Sequence, residues 1–335
     1  MSKLLSIAIP SYNAERFLDN VLSRFTGSPV LSSLDIIVVN DGSKDSTLKI
    51  AQKYAKEFPS EITVVDKENG GHGSGINQGI VHASGKYFKL VDADDWLDEQ
   101  GLIAVIDYLK NCDDDMVLTP YFEYDEQRET TSKVPLENIF NKAPRSKETQ
   151  SVSILRAVPA MHTIIYKTSI LKQHYEQIKI DEKSFYVDVE YIVFPLIYIG
   201  SLSVLDTYLY CYRTNEPGQS TSIESLIRNK NQHHQVLRHI NEYLTNSVPL
   251  DSPVRSAIEI RLSQMMVVQF KIIVIQKYSR KTYKELVCFM KEAQQHNRFD
   301  PEEAPRAIRM LWHSKMLLYP VVQLWVKRQM RHNHQ

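Results

Sequence analysis

The stretch Val91-Asp92-Ala93-Asp94-Asp95-Trp96 gathers three carboxylates within four residues, directly after the apolar run Tyr87–Val91. Successive side chains of an extended chain alternate faces, so Asp92 and Asp94 point to the same side. Two carboxylates converging at the end of a buried strand repel each other unless a cation or a donor sits between them. Hard oxygen ligands of this kind suit Mg²⁺ or Mn²⁺, ions that also take diphosphate oxygens. The same triplet also reads as an acidic N-cap, with Asp94 or Asp95 closing a helix that starts near Asp98.

Three further clusters stand beside it. In Ile9-Pro10-Ser11-Tyr12-Asn13, Pro10 ends a strand, Tyr12 offers an aromatic face to a base, and Asn13 can cap the next helix. In Val39 to Thr47, Asp41 can accept from the imide N–H of a uracil, while Asp45 with Ser46 reads as a helix cap. In Asn69 to Gly79, glycines at 70, 71, 73 and 75 would let backbone N–H groups approach an anion beside a helix start. Their spacing is GxGxG after the third strand, which argues against a dinucleotide fingerprint and a nicotinamide dehydrogenase.

The elements that must position these clusters alternate. Strands are predicted over 4–9, 35–39, 61–65 and 87–91, with helices over 14–25, 47–58 and 76–83 between them. That order predicts an α/β fold with a mostly parallel sheet and right-handed crossovers, whose ligands bind beyond the carboxyl ends of the strands. Residues 123–150 read as a polar loop or excursion, 161–166 as a strand, 186–197 as a helix, and 203–213 as one or two strands. From residue 223 onward helical patterns dominate, over 223–245, 253–277, 282–295, 303–312 and 315–331.

With 335 residues, 43% hydrophobic and 24% charged, the composition is that of a globular protein with a large core and room for a second module. The zero net charge hides a split: residues 1–224 carry 22 Lys+Arg against 32 Asp+Glu, and residues 225–335 carry 18 against 8. An acidic first part suits a cation, and a basic second part suits an anionic surface, although a solvated basic helix face gives the same count. Cys112, Cys211 and Cys288 lie far apart, which points to reduced structural thiols in a cytoplasmic protein. The N-terminal MSKLLSIAIPSYN reads as a first core strand and lacks the features of a signal peptide.

Taken in order, the four clusters over about residues 4–110 resemble family 2 glycosyltransferases of the GT-A fold, more loosely to about residue 222. The resemblance implies a GT-A domain over 1–222 (1–110 for the nucleotide-sugar, 111–222 for the acceptor side and base) and a helical module over 223–335. It implies an inverting transfer of a sugar from a UDP-sugar to a saccharide or lipid-linked saccharide acceptor, with no nucleic-acid partner. Pro10, Tyr12 and Asp41 would line the nucleobase pocket; Asn69, Gly70 and Asn77 would shape its ribose side; Asp92 would face the ribose. Asp94 would hold a divalent cation, Mn²⁺ or Mg²⁺. The family commonly has a basic residue where this chain has Ile76; His72, Lys86 or Arg213 are the candidates to replace it. In Phe185 to Tyr191, which resembles the family's later acidic motif, Asp188 matches the catalytic base, Val187 stands where a Glu is usual, and Glu190 competes. Tyr210 to Arg213 and Gln219 to Ser222 resemble a closing motif in which Arg213 and Ser220 would meet the diphosphate. A polyprenyl-phosphate sugar transferase and a non-catalytic nucleotide-sugar binding protein are the alternatives. Bacterial surface-polysaccharide or wall-polymer assembly is the setting the resemblance implies.

Two features lie outside that resemblance. His162, on the acceptor side, fits a core role at least as well as a catalytic one, and His233, His234 and His239 lack metal spacing. The run Met316–Val326, followed by Lys327, Arg328 and Arg331, is too short to cross a bilayer. It suits the interface of an anionic membrane, a buried closing helix, or a contact between copies in a homo-oligomer.

Overall fold

The computed structural model describes residues 3–215, 223–295, 306–314 and 317–332. Runs of branched apolar residues bounded by turns give strands, and amphipathic stretches between them give helices. The order is β1 (Leu5–Ser11), α1 (Glu15–Thr26), β2 (Leu34–Asp41), α2 (Thr47–Glu57), β3 (Ile62–Lys67), α3 (His72–His82) and β4 (Tyr87–Leu90). There follow β5 (Trp96–Leu97), α4 (Glu99–Leu109), β6 (Met116–Leu118), β7 (Tyr121–Asp125), β8 (Thr130–Val134), β9 (Gln150–Ser151) and β10 (Ile164–Lys167). Then come α5 (Thr168–Gln173), α6 (Tyr175–Ile178), α7 (Asp188–Val193), β11 (Ser201–Val204) and β12 (Tyr210–Thr214).

Eight strands form one sheet in the order β3-β2-β1-β4-β10-β6-β11-β9, and four form another in the order β5-β12-β7-β8. β1 pairs in parallel with β2 and β4, and β2 in parallel with β3, so the carboxyl ends of β1 to β4 share one rim. Strand periodicity sorts the two faces. Leu5, Ile7 and Ile9 join Leu18 and Leu22 of α1, Ala51 of α2 and Val105 of α4 in one core. Ala8 and Pro10 face the other way and meet α3. That helix packs through glycines: a Cβ at Gly79 would lie 2.4 Å from Ala8 Cβ, and one at Gly75 would lie 2.7 Å from Pro10 Cβ.

The structure departs from the pattern in several places. Helix α3 begins at His72 rather than 76, so Gly73 and Gly75 are helical and serve close packing, not an open loop. The polar stretch 123–150 holds the β7–β8 hairpin, turned by Glu129 at φ 54°. Residues 161–163 form a 3₁₀ turn before β10. The helix expected over 186–197 is short, because Pro195 removes an N–H and the chain continues as a 3₁₀ turn.

The described chain divides into two compact units, one of 3–215 with the segment 249–254, the other of 223–248 and 255–332. The boundary expected at 222/223 adjoins residues outside the described ones. The second unit contains α8 (Ile223–Arg228), α9 (Lys230–Asn246), α10 (Arg255–Ile275), α11 (Arg280–Gln295), α12 (Arg306–His313) and α13 (Tyr319–His332). His233 is a core histidine there: its Nδ1 lies 2.8 Å from Gln269 Oε1, and burial lowers its pKa to about 4. Among the described residues no helix is long and apolar enough to cross a membrane.

The glycine contact gives a stability prediction. Gly79→Ala forces α3 off β1 and should cost roughly 1–3 kcal/mol in urea unfolding. Gly200→Ala, whose Cβ would meet only Asp115 at 3.4 Å, should change stability by less than about 0.5 kcal/mol.

Candidate active site

At the shared rim the loops after β1 and β2 lock together. Asn13 adopts φ 50°, donates its N–H to Ser43 Oγ (3.0 Å) and accepts from Lys44 N–H through Oδ1 (2.9 Å). It therefore ties two loops and does not cap α1, whose first residues are held instead by Thr47 Oγ1 on Ala14 N–H (2.7 Å) and Asp45 on Glu15 N–H (3.1 Å). Asp45 also takes Thr47 N–H at 3.0 Å, while Ser46 makes no side-chain cap bond. Burial opposes ionisation of Asp45, but these hydrogen bonds outweigh it and hold its pKa below the ordinary value. Tyr12, 51% exposed, stands beside this knot, next to the half-buried Pro10.

The loop after β3 is built around Asp41. Its buried carboxylate pairs with Lys67 Nζ (2.7 Å) and accepts the N–H groups of Gly70 (2.8 Å) and Gly71 (2.7 Å). Three of its four lone-pair sites thus hold the glycine turn in place, a job the sequence reading did not assign to it, and any role toward a base rests on the fourth. Asn69 Nδ2 donates to Asp41 O (2.8 Å), fixing the same turn. Asn77, expected on the ribose side, has its amide engaged elsewhere: Nδ2 donates to Ile180 O (2.8 Å) and Oδ1 accepts Ile180 N–H (3.0 Å). Its role is to clamp the 180–184 segment, which also donates from Lys183 N–H to Gly70 O. A Cβ at Gly73 would lie 2.0 Å from Asp181 O, so only glycine admits that segment.

After β4, Asp92 to Asp95 form a turn clasped by β12. Asp95 is buried and accepts Tyr210 O–H (2.5 Å) and Arg213 N–H (2.7 Å). Tyr210 Oη accepts Asp92 N–H at 3.1 Å. Neither Asp94 nor Asp95 caps α4; Asp98 does, through Gly101 N–H at 2.8 Å. Burial, with Asp94 and Asp92 adding to it, raises the pKa of Asp95 well above the carboxylate range. Asp94 is only half-buried; burial and then the Asp92 charge push it up to about 6. Carboxylates crowded in this way at a polar rim fit a divalent cation, whose charge would relieve the repulsion.

His72 Nε2 lies 3.1 Å from Asp92 Oδ1. Burial disfavours a charged ring here, yet Asp92, then Asp188 and Asp94, raise its pKa above the ordinary value. Of the candidates to replace a basic residue at 76, His72 and Arg213 both stand at the acidic turn, and both charges act on Asp94. Ile76 is wholly buried, and Lys86 lies at the opposite end of β4, bonded to Cys112 O. Arg213 is held against the acidic turn. Its Nε–H donates to Asp94 O (2.9 Å), its fork pairs with Glu126, and it lies over Phe17 and Trp96, each 5.1 Å to the ring centroid. Ser220 lies outside the described residues.

Asp188 opens α7, half-buried, and its charge reaches both His72 and Tyr212. Glu190, its competitor, is fully buried and accepts Asp181 N–H at 2.8 Å. Beneath the rim the sequence reading missed Lys89, and it read His162 as fitting a core role at least as well as a catalytic one. Lys89, buried in β4, donates to His162 O (2.8 Å) and Ile164 O (3.3 Å), and burial lowers its pKa to about 7. His162 stacks on Tyr212 at 4.3 Å between ring centroids, and burial keeps it neutral with a pKa of about 4. An isolated Lys in an otherwise apolar strand, Lys89 in YFKL, was the available signal.

Removing one donor tests the clasp. Tyr210→Phe leaves the buried Asp95 short of a hydrogen bond and should cost about 1–3 kcal/mol in urea unfolding.

The sequence profile described as glycosyl transferase family 2 matches residues 6–175. EpsJ of Bacillus subtilis, an uncharacterized glycosyltransferase, is 27% identical over 67% of this chain and 64% of EpsJ. TarS of Staphylococcus aureus, a poly(ribitol-phosphate) beta-N-acetylglucosaminyltransferase, is 24% identical over 65% of this chain and 36% of TarS. The crystal structure of TarS 1–349 with UDP-GlcNAc is similar over 93% of this chain and 92% of that one, with TM-score 0.57 and 17% identity. The mannosyltransferase PcManGT from Pyrobaculum calidifontis, in complex with GDP-Man and Mn²⁺, is similar over 97% of this chain and 88% of that one, with TM-score 0.55 and 14% identity. The chain thus spans less than two thirds of the sequences of EpsJ and TarS. The structural likenesses speak for the fold, an α/β GT-A type with a mostly parallel sheet. With the profile covering half of the sequence, the rim clusters included, the chain belongs to glycosyl transferase family 2.

Proposed function

We propose that the chain is an inverting glycosyltransferase that moves a sugar from a UDP-sugar to an acceptor hydroxyl in bacterial surface or wall-polymer assembly, working in the cytoplasm. The observation that carries this reading is the grouping of acids about His72: its Nε2 lies 3.1 Å from Asp92 Oδ1, and the charges of Asp188 and Asp94 also act on its ring. The same three charges act on Tyr212. This grouping supports a reading in which a base and the donor-side carboxylates serve one site. The name of TarS and the UDP-GlcNAc of the TarS structure support the donor class and the setting.

In this reading the nucleobase stacks on Tyr12 between Pro10 and the Asn69–Gly70 turn, with Asp41 and Asn77 keeping that turn in shape. Asp92 faces the ribose, steadied by His72. A divalent cation, Mg²⁺ or Mn²⁺, held through Asp94 would supply positive charge for the leaving diphosphate. Asp188 accepts the proton of the acceptor hydroxyl as its oxygen attacks the anomeric carbon. The bond from that carbon to the diphosphate oxygen breaks, UDP leaves, and one displacement inverts the anomeric configuration. Arg213 acts indirectly, holding the Asp94 carbonyl. The exclusion of Glu190 from the rim supports Asp188 as the base despite the Val at 187.

Asp188→Asn should lower transfer by roughly 10²–10⁴-fold while leaving UDP-induced thermal stabilisation intact, and Asp94→Ala or a chelator should abolish Mn²⁺-dependent turnover. Full activity in either variant removes the role given to that residue. A pocket that bound UDP-sugar without slow donor hydrolysis would favour the non-catalytic alternative.

A second element of the proposal concerns the membrane. Leu317, Val321, Leu324 and Trp325 are exposed on or beside α13, and Lys327 and Arg328 are exposed in its next turn. An apolar stripe edged by cations matches an anionic lipid surface, whereas a second copy would bring like charge against it. Flotation with phosphatidylglycerol–phosphatidylcholine vesicles should recover the protein at low salt, and Trp325→Ser with Lys327→Gln should reduce recovery several-fold. Equal recovery with pure phosphatidylcholine, or a dimer in light scattering that Trp325→Ser dissolves, would overturn it.

A further inference from the structure

On the outer side of the Asp92–Asp95 turn lies a cleft of about 430 Å³ that the transfer chemistry leaves unused. One wall is a single stripe of α1, Arg16, Asn20 and Arg24, spaced i, i+4, i+8 and so lying along one face. The other wall is Trp96, Glu126 and Arg213. Among the described residues lining the cleft are three arginines and one carboxylate, Glu126, which pairs with Arg16 (3.4 Å) and Arg213. The acids of α1 are engaged by other partners. Glu15 accepts Ser46 N–H at 2.8 Å, and Asp19 accepts Tyr54 O–H at 3.2 Å. The cleft is thus cationic because its helix sorts charge by face.

The guanidinium groups are also preorganised. Arg24 Nε–H donates to Asn20 Oδ1 at 2.9 Å and its fork lies 5.3 Å from the Trp96 ring; Arg16 lies 4.8 Å from the Phe17 ring. Planar forks held against aromatic rings keep N–H groups directed outward and lose little entropy on binding an oxyanion. Eight residues of helix separate Arg16 from Arg24 by about 12 Å, too far for one phosphate and suited to successive charges on one chain. The floor is coupled to the rim, since Arg213 in this cleft holds the Asp94 carbonyl.

We propose that this cleft binds an acceptor chain bearing repeated anionic groups, phosphodiester or carboxylate, and presents it to the rim. Its service to transfer rests on the glycosyltransferase reading; the binding itself does not. The site is tested with the full chain by fluorescence anisotropy, using labelled ribitol-phosphate octamer, oligogalacturonate and neutral maltoheptaose. Wild type should bind one or both anionic probes, more weakly at 0.3 M NaCl, and maltoheptaose at least tenfold more weakly still. Arg16→Gln with Arg24→Gln, both exposed, should weaken anionic binding at least tenfold with unchanged UDP-induced thermal stabilisation. Arg24→Gln alone should give a partial loss. Whichever anionic probe binds identifies the charge carrier. Equal binding of the neutral probe, no binding of either anionic probe, or an unchanged double variant would overturn the proposal. Donor hydrolysis measured in parallel separates the two readings: loss of turnover with arginine-dependent binding intact would sink the transferase and spare the cleft.

Discussion

Three carboxylates in four residues at the end of an apolar strand are tolerable only if at least one is taken out of the electrostatic contest. Asp95 is that one. Buried, and with two other acids acting on it, it sits well above the ordinary carboxylate range and is met by two donors, the Tyr210 hydroxyl and the Arg213 amide. Both come from β12, more than a hundred residues downstream. Because Tyr210 also takes the Asp92 amide and Arg213 takes the Asp94 carbonyl, the same clasp fixes the backbone of the two remaining acids. The small sheet that carries β12 is thus an outrigger whose first job is to hold the Asp92–Asp95 turn.

A second consequence runs through the glycine turn. On the nucleotide side the chain uses polar side chains chiefly to fasten backbone. Asp41 holds two glycine amides, Asn69 holds the Asp41 carbonyl, and Asn77 grips Ile180 by both arms. A buried amide or carboxylate is costly unless its hydrogen-bonding capacity is filled, and filling it from backbone makes the wall rigid. The Asn77 clamp has reach as well. It anchors the segment that runs directly into α7, so the position of Asp188 depends on the same α3 that walls the donor pocket.

This explains what the sequence disclosed and what it hid. Parallel alternation, the rim position of residues 40–45 and 92–95, and the helical second unit were readable because period and turn chemistry are local signals. The start of α3 was not, since a glycine run looks like a loop until Ala8 and Pro10 are known to press on it. The β7–β8 hairpin hid because its exposed strand, Thr130–Val134, is polar on both faces and lacks the alternation that marks a half-buried strand. The rim location of Asp41, Asp92 and Asp94 followed from their motifs. The hydrogen-bond partners of Asp41, Asn77 and Arg213 lie 26 to 119 positions away, which no local pattern encodes. Asn13 misled for a similar reason: its left-handed backbone suits a tie between loops, although its type suits a cap.

The departure at Ile76 makes sense on the same terms. A basic side chain at 76 would start from a fully buried position against β1, in a helix that packs by backbone contact and has no room to tilt. Here that position is apolar and contributes to the core. His72 lies four residues earlier, hence on the same face of α3 and one turn nearer the rim. There it meets Asp92 directly and senses Asp94 and Asp188. Its ring stands on the first turn of α3, where the helix dipole favours an anion. The first turn of α3 thus carries a polar ring to the rim while its middle turn fills the core.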